Sequence, residues 1–205
     1  MAGVNESVLG LILAGGQSRR MGGRSKALLP LAGTPMLQHV INRLRPQTHD
    51  LLLNVNDSME TYAPFGLPMV ADSVGGFCGP LAGILGGVEW AERNGYRFVA
   101  SVAVDCPLIP TDLVRRLYLA RNDNQPITIA VSGGQRHHVI GLWSTELAPA
   151  LRLALTQDNI RAVKHFLNAY AVAESHWPLT GHDPFQNINT PEDLAAIEAT
   201  IRQGA

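Results

Sequence analysis

The sequence has little of what marks a specialised class. Only two of its 205 residues are cysteines, Cys78 and Cys106. They form no C-x-x-C pair and no metal-ligand spacing, so neither a disulfide scaffold nor a structural zinc is indicated, and two reduced thiols are expected. Sixteen Lys and Arg against 17 Asp and Glu leave a net charge of −1. That balance excludes a general attraction to nucleic acid or to a membrane surface. Long apolar runs are missing as well. Val8 to Ala14 is too short to span a bilayer and no basic residue precedes it, so it reads as neither signal peptide nor anchor. A cytoplasmic protein is expected. No internal repeat and no low-complexity linker divides the chain, and a 46% apolar composition suits a single domain with a real core.

Two familiar phosphate loops are absent too. A Walker A loop needs G-x-x-x-x-G-K-[ST], but Lys26 follows Ser25 and precedes Ala27. The dinucleotide motif G-x-G-x-x-G fails because the glycines fall at 15, 16, 22 and 23. What is present is LILAGGQSRRMGGRSK, from Leu11 to Lys26. An apolar run breaks at Gly15-Gly16 into a polar loop with Arg19, Arg20, Arg24 and Lys26 and no acidic residue. A short apolar run bounded by glycine fits a buried parallel strand. Glycines just past such a strand let backbone N–H groups approach a ligand. A Gly-rich turn with solvated arginines is the plainer alternative. The density of cations directly after a strand favours a polyanion site, most economically for a nucleotide phosphate chain.

Strand-like and helix-like segments alternate along the rest of the chain, the pattern of an α/β fold. Thr34-Pro35 predicts a helix start, with Met36, Leu37, Val40, Ile41 and Leu44 as its apolar stripe. Leu51 to Val55 reads as a strand and Met69 to Ala71 as a shorter one ending at Asp72. A glycine-rich loop then leads to a helix starting near Pro80. Phe98 to Val104 is strand-like and ends in Asp105-Cys106-Pro107, and Thr111 is read as the cap of the following helix. Four apolar segments thus end in Gly15, Asn54, Asp72 and Asp105. In open α/β sheets the ligand crevice lies at the carboxyl ends of the strands, so these residues are expected to meet. Further on, 127–131 and 139–143 predict a hairpin around SGGQRHH. Helices are expected around Leu151 and Phe166, a strand around Tyr170 to Glu174, and a last helix opening at Thr190-Pro191.

Asp105 is the best candidate metal ligand, because a nucleotide-borne Mg²⁺ takes one or two carboxylates and completes its shell with phosphate oxygens and water. A carboxylate closing a turn before Pro107 is the alternative. Asn54 and Asp72 are singly weaker, since Asn and Asp often only satisfy loop amides. Asn187 and Asn189 stand at i and i+2 of an extended segment and project to one side. They could serve a second metal or an acceptor's phosphate, or Asn189 could simply shape the start of the helix. Arg136 and His137 are candidate acceptor contacts or a solvated hairpin tip.

LAGGQSRRMGGRSK resembles the signature loop of the molybdopterin nucleotidyltransferase family, L-A-x-G-x-S-x-R-M-G followed by lysine. LAGG and the later Gly79-Pro80-Leu81-Ala82-Gly83 are more similar to its guanylyl-transferring members than to the cytidylyl relatives. The resemblance implies a Rossmann-like nucleotidyltransferase fold, a mostly parallel sheet flanked by helices with a β-hairpin excursion in the second half. Residues 8–121 would form a nucleotide-binding half and 122–205 an acceptor-binding half. It maps nucleotide contacts to Leu13, Ala14, Gly15, Lys26, Asn54 and Asp72, with the Gly15-Gly16 amides, Arg20 and Lys26 around the triphosphate. Asp105 matches the Mg²⁺ ligand, and Asn187-Ile188-Asn189-Thr190-Pro191 the family's N-x-N-T-P segment. The implied reaction is GMP transfer from Mg·GTP to the terminal phosphate of molybdopterin, giving a dinucleotide cofactor passed to molybdoenzymes. Cytidylyl transfer, a phosphosugar acceptor, or a non-catalytic nucleotide or cofactor carrier are the rivals. In two places this chain departs from the family: Ser25 stands where aspartate is common, and His138 replaces the proline of R-H-P.

Overall fold

A computed structural model describes residues 7–15, 25–57, 59–75 and 79–203. Their organising element is β1, Val8–Leu13, whose six residues are all buried. Alternate side chains point to opposite faces of a strand. Accordingly Val8 and Ile12 join one core layer, and Leu9, Leu11 and Leu13 join the other. Buried on both faces, β1 has the nearly unbroken apolar run that a central parallel strand requires.

Two tiny strands, β2 (Pro30–Leu31) and β3 (Thr34–Pro35), follow β1 and pair into a ribbon. Its turn is made by Ala32 and Gly33, both at positive φ, as a tight hairpin turn demands. Ala32 N–H donates to Glu198 Oε1 at 2.8 Å. Helix α1 (Met36–Leu44) therefore begins one residue later than the Thr34-Pro35 signal predicts, and Thr34 is in the ribbon instead of capping it. Next come β4 (Asp50–Asn54), β5 (Met69–Val70), α2 (Pro80–Arg93), β6 (Phe98–Ala103) and α3 (Leu113–Ala120). Asp112, not Thr111, occupies the cap position of α3.

The second half contributes β7 (Ile127–Ser132), β8 (Gln135–Ser144), α4 (Ala148–Thr156), α5 (Val163–Leu167), β9 (Val172–Trp177) and α6 (Pro191–Arg202). The predicted hairpin is present and longer than expected, because Gln135 to His138 belong to β8 and only Gly133-Gly134 turn. It continues the main sheet rather than projecting from it. The seven strands run β5-β4-β1-β6-β8-β7-β9, and β8 alone is antiparallel to its neighbours. Leu13 pairs level with Asn54 on one side and Ala103 on the other, so the first-half strands end together.

Helices α1 and α3 cover one face of the sheet; α2, α4 and α5 cover the other. A third, smaller apolar cluster of Leu31, Met36, Leu108, Ile188 and Ile197 seats α6 against the β2–β3 ribbon. Among the described residues no helix is long and apolar enough to cross a membrane.

Candidate active site

The sheet's carboxyl edge brings together residues from distant parts of the chain. Val104 N–H donates to Leu13 C=O at 3.1 Å, carrying the pairing past β6 and delivering Asp105 to the edge. Lys26 opens a single helical turn whose next residue, Ala27, is buried in the core. Its Nζ lies 3.0 Å from Asp105 Oδ2 and donates to Asn189 Oδ1 at 2.8 Å. The two charged side chains are 16% and 23% exposed, so a ligand can still reach them.

The segment carrying Asn187 and Asn189 is tied down on both sides. Ile188 N–H donates to Asp105 C=O at 2.9 Å, and the buried Cys106 thiol donates to Asn187 Oδ1 at 2.7 Å. Burial and the neighbouring Asp105 charge push the thiol's pKa well up, which keeps it a donor. On the other side Asp193 Oδ2 accepts from Asn189 N–H and Thr190 N–H, and Thr190 Oγ1 accepts from Asp193 N–H. This capping box starts α6 and, through those backbone donors, holds the Asp193 carboxyl below its usual range.

A second group of the expected residues lines the ends of β1, β4 and β5. Ala14 N–H donates to Asn54 C=O at 2.9 Å. The buried Asn54 amide donates to Val70 C=O at 3.3 Å and to Asp72 Oδ1 at 3.0 Å. Asn56, which the sequence did not single out for a role, accepts from Asp72 N–H at 2.9 Å and donates to Gly15 C=O. Gly15 and Gly83 make this packing possible. A Cβ on Gly15 would lie 2.6 Å from Asn56 Nδ2, and one on Gly83 2.4 Å from Asn54 Oδ1. Gly16 and Arg20, with Arg19 and Arg24, lie outside the described residues.

On β8 the adjacent Arg136 and His137, expected as acceptor contacts, part company, as neighbours on a strand must. Arg136 donates through Nε to Glu174 Oε1 at 2.7 Å, across the sheet on β9. His137 Nε2 is 2.6 Å from Ser132 Oγ, which donates to Asp183 Oδ1 at 2.7 Å. Asp183 also accepts from Phe185 N–H at 2.9 Å, and the Phe185 ring packs on His137. Burial is the main cause lowering the His137 pKa, so it is neutral near pH 7. Ser132, Asp183 and Phe185 escaped the sequence reading. The only hint was that Asp183 and Phe185 stand just before the Asn187 segment.

Among the described residues no three His, Cys, Asp or Glu side chains gather as a metal cage. A nucleotide-borne magnesium ion needs none. Asp105, with the amide oxygens of Asn187 and Asn189 beside it, offers the hard oxygen donors that ion prefers, so the residues present fit it.

Known proteins resemble this arrangement in sequence and in fold. The MobA-like NTP transferase domain matches residues 10–173. A molybdenum cofactor guanylyltransferase of Bradyrhizobium sp. (strain ORS 278) is 48% identical over 195 residues, 94% of this chain and 92% of that protein. One of Rhodopseudomonas palustris (strain BisB5) is also 48% identical, over 92% of this chain and 91% of its own length. Among solved structures, molybdopterin-guanine dinucleotide biosynthesis protein A from Archaeoglobus fulgidus superposes with a TM-score of 0.75 at 20% identity, covering 95% of this chain and 99% of that one. CMP:2-keto-3-deoxy-manno-octonic acid synthetase, solved with CTP, has the same fold at a TM-score of 0.72 and 16% identity, over 97% of this chain and 100% of that one.

Proposed function

The chain belongs to the MobA-like NTP transferase domain family, and from that premise we propose that it transfers GMP from Mg·GTP to the terminal phosphate of molybdopterin, releasing pyrophosphate and forming the guanine dinucleotide cofactor. The observation that carries this reading is the meeting of Lys26, Asp105 and Asn189 at the carboxyl edge of the sheet. One cation, one carboxylate and a carboxamide in contact suit a reaction whose partners are both polyanions.

In that reaction an oxygen of the acceptor's terminal phosphate attacks the α-phosphorus of GTP, and the bond to the pyrophosphate oxygen breaks. The attacking phosphate is already anionic near neutral pH, so the chain need not supply a strong base. Its work is to align the two substrates and to stabilise charge on the departing pyrophosphate. Lys26, together with the Gly15-Gly16 amides and Arg20, would take the triphosphate. Asp105 would hold magnesium against it; when bound, that ion supplies Lewis acidity and orientation. Leu13, Ala14, Asn54 and Asp72 would receive the nucleoside. Residues 122–205 would form the acceptor side, with His137, Asn187 and Asn189 nearest the crevice and Arg136 directed at Glu174. The reaction would run in the cytoplasm, with the product delivered to molybdoenzymes.

Pyrophosphate release tests the proposal. GTP, CTP, ATP and UTP are each offered with and without Mg²⁺ and with and without molybdopterin. Release should need GTP, Mg²⁺ and molybdopterin together. A preference for CTP would overturn the guanylyl assignment, and no release with any nucleotide would overturn the transferase reading.

A further inference from the structure

Ser25 breaks the family pattern at the residue immediately before Lys26, and the structure supplies a partner for it. The Tyr62 hydroxyl lies 2.7 Å from Ser25 Oγ and 3.2 Å from Asp57 Oδ2. A carboxylate can only accept, and a tyrosine hydroxyl has one hydrogen. The consistent order is Ser25 O–H donating to Tyr62 Oη and Tyr62 O–H donating to Asp57. Tyr62 is 1% exposed and packed in the same core layer as Ala27 and Val55, so its ring fixes where the hydroxyl sits. Asp57 stands three residues past Asn54, the last residue of its strand.

We propose that Tyr62 is a positioning residue for Lys26, and that Asp57, reached through the Tyr62 hydroxyl, supplies the negative charge that residue 25 lacks. Lys26 is then held from two sides. Ala27 anchors the following residue in the core, and the Ser25–Tyr62–Asp57 chain anchors the preceding one. With its backbone fixed at both neighbours, the lysine extends toward Asp105 and Asn189.

The proposal rests on the reading of Lys26 as a triphosphate ligand, and the test separates the two. Binding of Mg·GTP is measured by calorimetry for Tyr62→Phe, Ser25→Ala, Ser25→Thr, Lys26→Ala and the double variant Tyr62→Phe/Lys26→Ala, with thermal melting alongside. Tyr62→Phe and Ser25→Ala should each weaken binding about five- to tenfold, the scale of one hydrogen bond to a charged network. Ser25→Thr, which keeps the hydroxyl, should bind like the parent protein. The double variant should bind like Lys26→Ala alone, because a residue acting through the lysine has nothing left to position. Independent, multiplying losses would overturn the proposal. So would a lowered melting temperature in Tyr62→Phe and Ser25→Ala with unchanged affinity, the signature of a purely structural bridge. Unchanged binding in Lys26→Ala would instead strike down the lysine's assigned role, and the bridge's purpose with it.

Discussion

Lys26 Nζ and Asp105 Oδ2 lie 3.0 Å apart, one at the head of the helical turn that leads to the β2–β3 ribbon and the other just past the end of β6. The pair neutralises itself when no substrate is present. It also sets a cation and a carboxylate side by side, the two charges that the proposed transfer would use for phosphate and for magnesium.

Lys26→Ala and Asp105→Asn should each reduce turnover by about a hundredfold or more, the scale of losing one preorganised charge at a reacting phosphate. Stability should fall by only about 1 kcal/mol or less, because a pair open to solvent contributes little to folding. Pyrophosphate release and urea unfolding check the two halves separately. Full Mg²⁺-dependent activity in Asp105→Asn would remove the metal assignment.

Gly83→Ala should damage the packing around Asn54, where the proposal places the nucleoside. Its Cβ would fall 2.4 Å from Asn54 Oδ1 and 2.8 Å from Leu13 Cδ2, and Asn54 is held by Val70 and Asp72. A loss of about 1–3 kcal/mol is expected from overpacking, together with weaker Mg·GTP binding. Gly87→Ala is the control. It meets Leu11 Cδ2 at 2.4 Å, well inside the core, and should lower stability while leaving affinity intact.

Ser101→Ala probes the junction between β6 and the hairpin. Trp143 Nε1 donates to Ser101 Oγ at 2.7 Å, and that hydroxyl donates to Val139 C=O at 2.5 Å, with both side chains fully buried. The variant strands the indole N–H without its acceptor, at a cost of about 1–3 kcal/mol. Urea midpoints measure it, and a midpoint unchanged from the parent would refute the account.

The neutral His137 makes stability depend on pH. Burial first, then His138, lowers its pKa below the ordinary 6.5, while Asp183 opposes them. The unfolded chain therefore takes up the proton before the folded one does. Stability should be at its full value above about pH 6.5 and decline as pH falls below it. His137→Gln should flatten part of that decline in urea titrations between about pH 7.5 and 5.5. His138, also lowered by burial, would account for a remainder.

The parts of the fold legible in the sequence were those where one run of residues decides the outcome. β1 and β6 are buried apolar runs, and α2 begins at a proline behind a positive-φ glycine. Thr34-Pro35 was misleading because the same dipeptide that can start a helix here closes a ribbon whose turn, Ala32-Gly33, precedes it. At Thr111 and Asp112 two capping residues stand side by side, and sequence alone does not choose between them. The candidate site followed the same division. Gly15, Asn54, Asp72 and Asp105 could be grouped because each ends an apolar segment. Ser132, His137 and Asp183 could not, since the link between Ser132 and Asp183 spans 51 positions and depends on a strand pairing no local pattern encodes. Tyr62 carries no local pattern that marks it; only its hydroxyl's neighbours distinguish it.

The contact between Lys26 and Asn189 joins residues 163 positions apart. Order of synthesis gives that distance a meaning. The strands that lead to Gly15, Asn54, Asp72 and Asp105 leave the ribosome before Asn189 does and can pair in its absence. Asn187, Asn189 and the capping box of α6 follow Asp105 by more than eighty residues. The four strand ends can thus gather while Lys26 still lacks its asparagine, so the edge of the sheet takes shape in two stages separated by more than eighty residues of synthesis.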